Sequence, residues 1–283
     1  MSAFKRVVLG VKTRIADDRL TLVAGGVAFF AFLSVFPALA TVISIYGLVA
    51  DPQTVQSHIS SLGGAVPREV QEVISSRLES LVSSRDSSLT IGFAFGLLVS
   101  LWSANKAMKA IADALNIAVD VEEDRGFVKR NAVTLLLTLV SSLVFIVALA
   151  VIVIVPVLVS TFLSQGTAKI LTTVVSWIVF IGLLVGMFLV LYRYAPARHR
   201  RQPWNALLPG AIFSGVLFVV TSAAFSFYVG NFGKYELQYG ALGAVVVMML
   251  WLFIGAYVFL LGAEINAERN HPELRQSRRA KSI

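Results

Sequence analysis

The chain has no cysteine and only three histidines among its 283 residues. The first absence excludes disulfides and thiolate metal sites, although by itself it fixes no redox compartment. The histidines, His58, His199 and His271, fall in three separate polar regions, so no zinc-ligand spacing arises. A phosphate-binding glycine loop and a serine or cysteine nucleophile motif are missing too. Nothing here asks for a metal, a cofactor or catalysis. Charge is also scarce: 14% of residues are charged, where about 25% is usual in a soluble chain.

What takes the place of charge is apolar. Hydrophobic residues make up 57% of the chain and the mean hydropathy is +0.80. This excludes a water-soluble globule and predicts an all-α, polytopic integral membrane bundle. A bilayer core about 30 Å thick takes roughly 20 apolar residues per helix. Six runs qualify: Leu20 to Ala50, one starting at Leu89, Ala132 to Leu163, Ile170 to Tyr192, Ala206 to Val229, and Ala241 to Ala263. The expected organisation is a cytoplasmic amphipathic segment (1–19), a six-span domain (20–266) and a basic cytoplasmic tail (267–283). Within the polar stretch 51–88, Val70, Val73, Ile74, Leu78, Leu81 and Val82 recur at helical spacing, which predicts a short amphipathic helix on the outer face. A cleaved signal peptide competes at the N-terminus. Its Ala-Leu-Ala at 38–40 is followed by more apolar chain, and Asp17 and Asp18 precede the run, so an uncleaved first span is expected.

The 24 basic residues divide 19 to 5 between the alternate sides of these spans. The richer side holds both termini and should be cytoplasmic. The formal charge of +8 is then explained by insertion and by attraction to anionic lipid headgroups, so no nucleic-acid partner is needed.

Small residues recur one helical turn apart: Gly92, Gly96 and Ser100; Gly182 and Gly186; Gly210 and Ser214; Gly255, Gly262 and Asn266. Such stripes allow helices to approach closely within one chain, and a homo-oligomer joined through one of them is the alternative. Pro37 and Pro156 interrupt long apolar runs and mark candidate kinks. After the second run, Asn105, Lys106, Lys109, Asp113 and Asn116 fall within an arc of about 100°. They form a polar seam, with Lys109 and Asp113 spaced to pair. Snorkelling lysines at a span's end give the plain explanation. The functional one is a cavity mouth where the lysines meet a substrate's phosphate or carboxylate. Glu264 and Asn266 end the last run, and Glu264 is placed to pair with a seam lysine or with Arg193 as a cytoplasmic gate.

Four stretches together resemble the YihY/BrkB family of bacterial inner-membrane proteins: LTLVAGGVAFFAFLSVFPAL, LWSANKAMKAIADALNIAVDVEEDRGFVKR, LYRYAPARHRRQPWNALLPGA and YGALGAVVVMMLWLFIGAYVFLLGAEIN. The resemblance runs from about Leu20 to Asn266. It implies six spans in the inner membrane, with relatives linked to virulence, serum resistance or movement of lipid-like envelope precursors, and no settled activity or site. An older ribonuclease label suits this chain poorly, which lacks a soluble catalytic domain and clustered metal ligands. The expected function is movement of an amphipathic, lipid-like substrate. The alternative is a scaffold for envelope biogenesis or virulence that transports nothing.

Overall fold

The structure is a computed structural model and describes residues 3–49, 88–162, 165–198, 201–232 and 241–270. Seven helices make up these residues: α1 (Ala3–Asp17), α2 (Leu20–Val49), α3 (Ser88–Ala118), α4 (Phe127–Phe162), α5 (Gln165–Tyr194), α6 (Trp204–Phe232) and α7 (Ala241–Asn270). No strand occurs among them. Helix is what a bilayer demands, because each backbone N–H and C=O must be satisfied within the segment.

The protein is a helical membrane bundle. Four helices are long and apolar enough to cross a bilayer, over Phe127–Ala148, Val174–Tyr194, Trp204–Val229 and Val245–Asn270. The bent pair Val7–Asp17 and Leu20–Val35 makes a fifth if it counts as one span. The described residues therefore carry four to five spans against the six expected. The outer segment 51–88 lies outside the described residues except for Ser88, and the tail 267–283 is described only to Asn270, where it continues α7.

The bend in the first region is at Asp18 and Arg19, where α1 and α2 meet at 64°. Arg19 has φ of 49°, a left-handed conformation that ends α1. Helix α2 runs on through Pro37 and α4 through Pro156.

Contacts divide the chain into two units, residues 33–106 and the remainder. In the smaller unit the Lys106 ammonium lies 3.7 Å from the centre of the exposed Trp102 ring. The larger unit holds the core. There α7 packs on α6 and α1, and α5 packs on α4 and α6. Leu20 and Ala24 of α2, Leu115 of α3, Tyr192 of α5, Ala211 of α6 and Leu260 of α7 are buried together. Tyr192 stacks on Phe259 at 4.9 Å, and its hydroxyl donates to the Phe259 carbonyl. The outward faces are apolar as well: Leu136, Leu143, Ile146 and Ile178 are exposed, the arrangement expected where lipid is the solvent.

The small-residue stripes divide by position. A Cβ on Gly210 would strike the backbone of Gly262, and one on Gly262 would strike Ser214, so α6 and α7 touch backbone to backbone. A Cβ on Gly255 would come to 3.0 Å from the Phe218 ring. A Cβ added at Gly182 or Gly186 would meet nothing within 4 Å among the described residues, against the expectation that these two meet neighbouring helices. Spacing places residues on one face of a helix and leaves open what that face meets. The surroundings of Gly92 lie outside what the structure describes.

Candidate functional site

The C-terminal ends of α1, α3, α5 and α7 meet the N-terminal end of α6, and the polar residues of the larger unit gather there. Helix α3 ends with Asp120 in the left-handed region (φ 57°). The Asp120 N–H donates to the Ile117 carbonyl and the Val121 N–H to that of Asn116, a pairing that satisfies the last carbonyls of the helix. Asp120 is thereby turned toward α1.

Arg14 of α1 receives it. Its Nη1 lies 3.1 Å from Asp120 Oδ2 and 3.8 Å from Glu264 Oε2, and its Nε lies 3.2 Å from Glu268 Oε2. Arg14 is 2% exposed, Glu264 0% and Glu268 5%. Asp18 is also buried and lies close enough to Glu264 to interact with it electrostatically. One guanidinium thus stands among four carboxylates drawn from three places in the chain. It is placed to hydrogen-bond two of them, Asp120 and Glu268, and meets Glu264 at the longer distance. Gly10 makes this possible, since a Cβ there would collide with the Glu268 carboxylate.

Beside the cluster the connections between helices are tied together. The Asn116 Oδ1 accepts from the Ala197 N–H at 2.8 Å, and its Nδ2 donates to Glu123 at 3.3 Å. The Arg125 guanidinium donates twice to Glu123, at 2.7 and 2.6 Å, and once to the Ala195 carbonyl at 2.9 Å. The Arg125 hydrogen bonds hold the Glu123 carboxyl below its usual range. Arg198 is half-buried, and burial first and the positive Arg14 second push its guanidinium downward.

These contacts place the residues singled out in the sequence. Asn116 ties two loops together. Asn266 clasps α6, its Oδ1 accepting from the Gly210 N–H at 2.9 Å and its Nδ2 donating to the Leu207 carbonyl at 2.8 Å. It sits beside Pro209, which has no N–H to give to its own helix. Asn105 is buried, Lys106 and Asp113 are exposed, and Lys109 is half-buried. The seam therefore divides between inward and outward positions, because its arc is wide enough to straddle the edge of a helix face. Asp113 pairs with Arg130, at 2.6 Å, rather than with Lys109. Glu264 meets Arg14 rather than a seam lysine or Arg193. Arg193 donates to the Gln202 carbonyl and lies 4.5 Å from the Trp204 ring centre.

Arg14, Asp18, Asp120 and Glu268 escaped the sequence reading. A signal was present in part: Gly10, Arg14 and Asp18 are four apart on one helix face, as are Glu264 and Glu268. Asp120 carried none, for its place depends on how α3 ends.

Apolar helices around a buried ionic centre define a polytopic helical membrane protein. The chain belongs to the family described as virulence factor BrkB, whose profile matches residues 11–283. It is 30% identical over 250 residues to the ribonuclease-like protein YfkH of Bacillus subtilis, covering 85% of this chain and 86% of that protein. It is 26% identical over 256 residues to a UPF0761 membrane protein of Pseudoalteromonas translucida, covering 90% and 82%. To a UPF0761 membrane protein of Aliivibrio salmonicida it is 28% identical over 268 residues, covering 92% and 81%. No solved structure matches the chain.

Proposed function

We propose that this protein moves an amphipathic, lipid-like envelope substrate across the bacterial inner membrane, with both termini in the cytoplasm and without catalysing a covalent reaction. The observation that carries the reading is the cluster of buried Arg14, Glu264 and Glu268, with Asp120 closing it from the exposed side. Ionised groups buried away from water are costly even when paired, and inside membrane proteins such groups commonly mark a pathway. A static scaffold gains nothing from them, because well-packed apolar residues hold helices at least as well. Here the charges join α1 to α7, a contact that water or a charged substrate can compete for. Glu264 and Arg14 form the gate in this reading. In this reading Lys106 and Lys109 serve as contacts for a phosphate or carboxylate, and Asn105, Asp113, Asn116, Arg193 and Asn266 as residues of the path.

The ribonuclease-like name belongs to the Bacillus relative. A non-catalytic reading is supported here by the family's description and by the lack of any catalytic motif in the sequence.

The test is lipid flipping in liposomes reconstituted with the full chain and a fluorescent anionic phospholipid analogue. The chain should accelerate transfer between leaflets above protein-free liposomes, and a Lys106→Gln and Lys109→Gln double variant should lower the rate while inserting and unfolding like the parent. Transfer no faster than in protein-free liposomes would leave the scaffold reading.

A further inference from the structure

A recess of about 640 Å³ opens between α1, α6 and α7. Its walls are apolar and include Val8 and Val11 of α1, Phe213 of α6 and Ile265 of α7, and among the described residues no carboxylate lines it. Val8 and Phe213 are exposed, so the recess opens sideways, where lipid tails lie. Two cations edge it, Lys12 and Arg269, both exposed. Among the described residues neither forms an ion pair, although four carboxylates gather around Arg14 nearby. Arg269 sits in the last turn of α7, at the border of that span.

An apolar trough with two unneutralised cations at its rim matches one kind of molecule. The volume falls within the range of about 300–1,000 Å³ typical of ligand sites. Free phosphate would leave the walls unused, and a zwitterionic lipid would add a positive group beside two others. Basic pockets between membrane helices are suited to acidic headgroups. We propose that this recess binds an anionic phospholipid, an acyl chain lying along Val8, Val11, Phe213 and Ile265 and the phosphate held between Lys12 and Arg269. The proposal rests on the reading that the chain handles lipid-like molecules, and it names the class and the place.

The experiment is thermal unfolding of the purified full chain in neutral detergent, titrated with phosphatidylglycerol, with phosphatidylcholine of the same tails, and with inorganic phosphate. Phosphatidylglycerol should raise the unfolding temperature at the lowest concentration and phosphate should leave it unmoved. A Lys12→Gln and Arg269→Gln double variant should bind phosphatidylglycerol about thirtyfold more weakly, close to its affinity for phosphatidylcholine. A Val8→Trp variant, which fills the recess and keeps both cations, should lose both lipids. Equal response to the two lipids, a preference that survives in the double variant, or stabilisation by phosphate alone would each overturn the site. Binding is read without transport, so phosphatidylglycerol selectivity in a chain that flips nothing would refute the transport reading and leave the site standing. Flipping by a chain that shows no preference for phosphatidylglycerol would do the reverse.

Discussion

Arg14 carries more than any other single side chain. It compensates carboxylates on two other elements at distances of 3.1 to 3.8 Å while 2% exposed. Removing one partner from a buried ionic group strands the rest, at a cost of about 3–5 kcal/mol. Arg14→Met should lose stability on that scale, measured by thermal unfolding in detergent micelles. Glu264→Gln keeps the shape and leaves Arg14 its two shorter contacts, so its loss should be clearly smaller. The glycines offer a second comparison. Gly262→Ala forces a Cβ against Ser214 and the α6 backbone, and should destabilise by roughly 1–3 kcal/mol. Gly182→Ala meets nothing among the described residues and lies in mid-helix, so it should be neutral or stabilising, by up to about 0.5–1 kcal/mol. Equal effects at the two sites would show that the close approach of α6 and α7 is wrongly placed.

At the scale of elements, the segment between α3 and α4 is held by charge more than by packing. Glu123 is the centre, accepting from Arg125 and Asn116, and Arg130 lies 3.7 Å away. Its folded-state acidity is stronger than that of a free glutamate, with the Arg125 hydrogen bond as the first cause. The stabilisation is therefore complete above the ordinary glutamate range and is lost as pH falls through the lower, folded value. Acidification should raise hydrogen exchange at residues 121–126, after correction for intrinsic rates, before the membrane helices respond. Glu123→Gln should start from a looser segment and show a flatter pH dependence. Helix α1 behaves differently. Its basic and apolar residues predict a surface helix, yet it docks on α7 through Gly10 and Arg14, and its free face is the apolar recess.

At the scale of the whole molecule, the decisive quantity is the 19 to 5 division of basic residues. It predicts that a reporter fused after Ile283 is active in the cytoplasm, and activity confined to the periplasm would invert the arrangement. The charged cluster, the loop ties and the recess all lie at the ends of helices in the larger unit that this topology assigns to the cytoplasm. A transporter would offer its inner mouth there.

The sequence by itself determined that the chain is helical and lives in a membrane, because long apolar runs with little charge have no other stable form. Periodicity placed Asn116 and Asn266 on inward faces, since a buried amide must find partners and one side of a helix supplies them. Tertiary structure alone decided the partners. Glu264 could be matched to any cation near the same membrane border, and Arg14, some 250 residues earlier, wins because Gly10 lets α1 lie against α7. Asp120 joins them only because α3 ends in a left-handed turn. The stripe at Gly182 and Gly186 looks the same in sequence as that at Gly255 and Gly262, yet among the described residues one meets nothing and the other meets α6. Spacing is a property of one helix, and contact is a property of two.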